Sequence, residues 1–158
     1  MKFALLFCAL FIIIFGMSAS AAENGMNATG TAFVKAFQAN NLDEIMVLYA
    51  DNAVLFPPDA MEAVGKEEIR KSYAGLMERF TVQNFQVIEA HHEENGNVSF
   101  GWGRFAMDMV PKEGGEKVHM EGRFSDVSKK VNGKWLYIVD HASVPFASSP
   151  SAPAAANQ

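Results

Sequence analysis

The pattern of apolar and polar positions divides the chain into four stretches. Phe3 to Phe15 is an unbroken apolar run with Lys2 as the only charge before it. Past a polar lead from Asn24 to Thr31, Phe33, Ala36 and Phe37, then Leu42, Ile45, Leu48 and Tyr49, recur at helical spacing, interrupted at Asn40-Asn41. That spacing predicts two helices, the second capped by Asn41 with Asp43 and Glu44 in its first turn. Val54-Leu55-Phe56 reads as a short strand stopped by Pro57-Pro58. Gly65-Lys66-Glu67-Glu68 opens a third helix, with Ile69, Tyr73, Leu76, Met77 and Phe80 on one stripe.

From Thr81 the period changes to that of strands. Val98 to Val110, Lys117 to Lys130 and Trp135 to Val144 are long strands, separated by the turn signals Pro111 to Gly115 and Asn132-Gly133. Long strands joined by short turns predict an antiparallel meander. Helices followed by such a meander predict an α+β fold, a cone-shaped barrel of a curved antiparallel sheet covered by three N-terminal helices. A curved sheet covered at one end leaves a pocket, the usual place for a ligand.

Composition narrows the setting. The first apolar run is too short to span a bilayer, and Ser18 to Ala22 supply the small residues of a cleavage site, so residues 1–22 are expected to be a signal peptide. An uncleaved N-terminal anchor is the alternative. Residues 23–146 then form one domain, and the Pro/Ser/Ala-rich residues 147–158 a disordered tail. The expected location is secreted or periplasmic, with no membrane contact after cleavage. Cys8 leaves with the leader, which excludes disulfides and thiolate chemistry in the mature protein. Losing Lys2 leaves 12 basic against 18 acidic residues, a balance that argues against nucleic acid as partner.

Three motifs stand in order along the chain: Tyr49-Ala50-Asp51-Asn52-Ala53-Val54, Gly65-Lys66-Glu67-Glu68-Ile69, and Gly122-Arg123-Phe124 through Asp140-His141-Ala142-Ser143. With the order of elements they resemble the nuclear transport factor 2-like superfamily, in its SnoaL-like and ketosteroid-isomerase-like branch, over roughly Thr31 to Val144. The resemblance implies the cone fold and a homodimer through the outer sheet face. It implies no single reaction, because one fold hosts many functions. Ketosteroid isomerisation needs a carboxylate base and an oxyanion hole of a Tyr and a protonated Asp. Laid on that pattern, Pro57 takes the place of the base, Phe33 that of the Tyr and Ser125 that of the second Asp, with Asp126 facing the other way.

The remaining candidates are weighed on strand geometry. Asp140 and His141 are adjacent on a strand and point to opposite faces. By the family register, Asp140 shares the pocket face with Leu136, Ile138 and Ala142. It is the candidate acid or base, with Arg123 or Tyr49 as polar partner; an Asp140–Arg123 structural ion pair is the plainer reading. His141 shares the other face with Trp135, Tyr137 and Ser143. Phe33, Phe56, Tyr73, Ser125, Ile138 and Ala142 are the candidate ligand contacts. His91-His92-Glu93-Glu94 lacks metal-ligand spacing and reads as a solvated strand end, so neither metal nor cofactor is expected. Three functions stay open: an exported protein binding a small apolar or amphipathic molecule, a cofactor-free enzyme moving a proton with Asp140, or a dimeric assembly module without a ligand.

Overall fold

In the computed structural model, residues 27–145 are described; the expected signal peptide and the whole of the expected tail lie outside them. Helix α1 (Ala28–Gln38) is capped by Asn27, whose Oδ1 accepts from the Gly30 amide at 2.8 Å. Helix α2 (Leu42–Met46) is capped by Asn41, accepting from the Glu44 amide at 3.1 Å. Strands β1 (Tyr49–Phe56) and β2 (Ala63–Val64) precede helix α3 (Lys66–Arg79). The meander follows as β3 (Phe80–Asn95), β4 (Val98–Pro111), β5 (Val118–Val131) and β6 (Lys134–Ser143). Among the described residues no helix is long and apolar enough to cross a membrane.

The six strands form one sheet in the order β2-β1-β6-β5-β4-β3. The α+β cone is the expected one, with a refinement: the sheet is mixed, because β1 runs parallel to β6. The sheet is also curved without closing. Two bulges in β3, between Gln83 and Gln86 and between Val87 and Glu89, each add a residue against β4 and bend the strand. Asn84, in the first bulge, takes the left-handed conformation at φ +52. The turn Asn132-Gly133 has positive φ at both residues, as the tightest hairpin demands.

Helix α2 is shorter than its apolar spacing suggests. Tyr49 begins β1 instead of ending α2, because β6 captures the chain: the Tyr137 amide donates to the Leu48 carbonyl at 2.8 Å. Either conformation buries Tyr49, so the spacing alone does not separate them.

The helices are fastened to the inner face of the sheet. Asn40, in the α1–α2 turn, both donates to the Val82 carbonyl and accepts from the Val82 amide, each at 2.9 Å. Gln38 Nε2 donates to the Phe85 carbonyl at 2.7 Å. Between helix and sheet lies an aromatic cluster in which Phe37 packs edge-on to Phe85 at 4.9 Å and stacks with Phe33 at 5.3 Å. Removing a ring of this kind costs about 3–5 kcal/mol. The cluster is the base on which the cavity is built.

Candidate functional site

A cavity of about 400 Å³ opens between the helices and the concave face of the sheet. Phe33, Phe37, Phe85, Phe105 and Phe124 give it mostly apolar walls. Two carboxylates, Asp126 on β5 and Asp140 on β6, stand in that wall and face each other across the strand pair.

Asp140 is held by tyrosines. The hydroxyls of Tyr49 and Tyr73 both donate to its Oδ2, the Tyr73 bond at 3.4 Å, and the two hydroxyls lie 2.8 Å apart. Burial raises the Asp140 carboxyl above its ordinary value, while the tyrosine hydrogen bonds pull the other way. Burial also raises the Tyr49, Tyr73 and Tyr137 hydroxyls, so they remain neutral donors.

Asp126 has no comparable support. Its Oδ1 is buried and makes no hydrogen bond. Burial first, and then the charge of Asp140, push it up to about 7. A carboxyl poised there can give or take a proton near neutral pH. Gly101 makes the room it occupies: a Cβ at that position would stand 2.3 Å from Asp126 Oδ2.

Several expected placements change. Asp126, read as facing away, points into the cavity, and Ser125 lies on the outer face beside Trp102 and Val139. The pleat is as expected; the assignment of the family position to Ser125 is one residue off. Ile138 is the extra residue of a bulge: Tyr137 pairs with Ser128 and Val139 with the next residue, Val127. Ile138 therefore leaves the cavity wall, and Tyr137, expected outside, enters the core at 5 % exposure. Phe56 points outward and meets His141 edge-on at 6.0 Å, while its neighbour Leu55 lines the cavity. Arg123 is exposed, opposite Arg104 and Ser143, and forms no pair with Asp140. Asp140 takes its hydrogen bonds from Tyr49 and Tyr73 instead.

Other expected residues come together. Phe33, Tyr73 and Ala142 line the cavity, as does Pro57. Phe33 and Pro57 carry no titratable group; the carboxyls on the sheet wall of the cavity are Asp126 and Asp140. Both His91 and His92 border the cavity; the His91 ring stacks on Trp102 of the outer face at 5.5 Å. Among the described residues no His/Cys/Asp/Glu cluster is arranged to hold a metal.

With this geometry in place, the comparisons have a clear meaning. The family model of the SnoaL-like domain matches residues 31–138. A nuclear transport factor 2 (NTF2-like) superfamily protein from Salmonella enterica serovar Typhimurium superposes with TM-score 0.69 at 17% identity, over 78% of this chain and 90% of that one. A candidate dehydratase of the NTF2-like family from Streptomyces avermitilis gives 0.68 at 19% identity, covering 75% of this chain and 93% of that one. A candidate scytalone dehydratase from Novosphingobium aromaticivorans gives 0.67 at 12% identity, covering 74% and 79%. Likeness at these identities establishes the shared fold. A comparison with curated proteins returns no match.

Proposed function

The chain belongs to the SnoaL-like domain family, and we propose that it is a cofactor-free acid–base enzyme acting on a small, mostly apolar molecule. The observation that carries this reading is Asp126: a buried carboxyl with an unbonded oxygen in an apolar cavity, opposite a second carboxyl that tyrosines hold in place. Asp126 is the proton-moving group. Asp140, Tyr49 and Tyr73 form a polar corner that orients the substrate oxygen, while burial and then the charge of Asp140 push Asp126 up to about 7. The reaction class is proton transfer next to a carbonyl, with or without loss of water. Two structural neighbours named as candidate dehydratases fit that class.

The apolar walls favour a second reading, in which the cavity only stores its ligand. Native mass spectrometry of protein purified from its own host identifies the molecule carried. Incubated in D2O with the protein, that molecule is expected to gain deuterium or lose water, and Asp126→Asn is expected to slow this by about 10²–10⁴-fold. A bound molecule that stays unlabelled with the unaltered protein establishes storage and sinks the enzyme reading.

Two further parts of the proposal concern setting. Export rests on the leader-like apolar run Phe3 to Phe15. A homodimer through the outer sheet face rests on exposed Phe56, Phe100 and Trp102, and is checked by mass in solution.

A further inference from the structure

The strand register sets Asp140, Asp126, Gly101 and His92 side by side across β6, β5, β4 and β3. On one side the adjoining inward positions Ala142 and Phe124 are apolar and line the cavity; on the other, Ser128 and Ser99 are paired and fully buried. Gly101 is the row's only member without a side chain, and the Asp126 carboxyl lies over the space a Cβ there would fill. His92 stands at the outer end of the row, on the edge strand, with its side chain 36% exposed. We propose that His92 is the group through which Asp126 exchanges its proton with solvent, across the gap left by Gly101.

The inference rests on the acid–base reading and concerns how a proton-moving carboxyl on the cavity wall stays in exchange with solvent. In the outward step the Asp126 carboxyl proton passes to the neutral imidazole of His92, leaving a carboxylate and an imidazolium. The imidazolium then gives its proton to water at the cavity mouth. Reloading runs the same steps in reverse. The positive charge of His92 favours the ionised form of Asp126, which is the coupling such a relay requires.

Other charged groups share this site with His92. Glu94, on its own strand, has a carboxylate oxygen 4.0 Å from Nε2. Asp126 and Asp140 face it from β5 and β6. Lys71 and Arg79 of α3, and Asp59 of the β1–β2 connection, border the same cavity. Lys71 is engaged by Glu68 at 2.7 Å, and Arg79 Nε donates to the Gly75 carbonyl at 3.1 Å.

Nuclear magnetic resonance on the full chain tests this without a substrate, by following the Asp126 carboxyl and the His92 ring through a pH titration. His92→Gln is expected to raise the Asp126 midpoint by about half a pH unit or more. Proton exchange at the Asp126 carboxyl is expected to slow roughly tenfold in His92→Gln, as it does when a general acid–base partner is lost. A midpoint that does not move, or a carboxyl that exchanges as fast without His92, overturns the relay. Those outcomes leave the catalytic reading intact, which falls if the carried molecule stays unlabelled with the unaltered protein or if Asp126→Asn spares turnover.

Discussion

Two rows of side chains cross this sheet one residue apart. The inner row is Leu55, Asp140, Asp126, Gly101 and His92; the outer row is Phe56, His141, Ser125, Trp102 and His91. Every member of one row is the chain neighbour of a member of the other. The inner row faces an apolar cavity, where burial displaces the ordinary acidity of its carboxyls. The outer row is exposed, its rings resting on one another as His91 on Trp102 and His141 on Phe56. The same strands thus carry the perturbed carboxyls on one face and plain surface on the other. What separates them is only the pleat, so a one-residue slip in register exchanges the two.

The largest effect is expected from moving the carboxylate between rows. The double variant Ser125→Asp with Asp126→Ser keeps composition and net charge, and shifts one carboxyl from the cavity to the outer face. Turnover is expected to fall about 10²–10⁴-fold, and the carboxyl titrating near 7 is expected to vanish from the pH profile. A double variant that retained both would mean that the cavity face does not make the chemistry.

Gly101→Ala sharpens the comparison by adding one methyl to the inner row. The new Cβ would stand 2.3 Å from Asp126 Oδ2 and 2.9 Å from its Cγ, so the carboxyl must turn away or the strands must part. A loss of about 1–3 kcal/mol in denaturant unfolding is expected, as for other overpacked interiors. Unchanged stability together with an unchanged Asp126 midpoint would show that the carboxyl is not confined by β4.

The contrast between these rows also marks how far the sequence could be read. Helices α1 and α3 and the long strands were legible, because a one-sided apolar stripe and the Asn132-Gly133 turn have single physical meanings. The cone followed from their order. The cavity was legible at Phe33, Tyr73 and Ala142, and Asp140 was legible as a carboxyl on its wall. Arg123 was not, because a neighbouring strand brings a residue close only if both side chains leave the same face. Ile138 and Tyr137 were misplaced by a bulge that local sequence does not announce. Asp126 was misplaced because the family position was assigned one residue early, to Ser125. The alternation could not correct this, since polar residues flank it on both faces, with Arg123 and Ser125 exposed and Ser128 buried. Its one available signal was Gly101, a glycine in mid-strand, which often marks a close approach by another group. That signal becomes informative only once the β4–β5 register is known.

A pH experiment separates the inner row from a carboxyl outside both rows, Asp108 of β4, by sign. Asp126 is raised from 3.8 to about 7 in the folded chain, so between those values the folded state holds a proton that the unfolded state has released. This contribution is complete below the unfolded value and is lost as pH rises through the folded one, at up to about 1.4 kcal/mol per pH unit. Asp108 behaves in the opposite way. His119, Asn84 and Lys117 hold its carboxyl far below the usual range, so its contribution is lost only in strong acid. Urea unfolding of Asp126→Asn is expected to flatten the fall in stability between about pH 4 and 7 and to leave the acid limb in place. An unaltered slope in that window would remove Asp126 as its source.

The smallest effect is expected from the outer row itself. Trp102 is 41% exposed and stacks on His91 with ring planes 20° apart. Its strand neighbour is Gly101, so no position tests the independence of the two faces more closely. Trp102→Ala removes a large ring but only a half-covered one, and a loss of about 1 kcal/mol or less is expected in the monomer. If the outer face joins two copies of the chain, the same variant also lowers the mass in solution. Neither change should reach the cavity: the Asp126 midpoint and the turnover of the unaltered protein are expected to persist. A midpoint that moved with Trp102→Ala as far as with His92→Gln would show that the faces are coupled through β4, and the pleat would no longer suffice to explain where the chemistry lies.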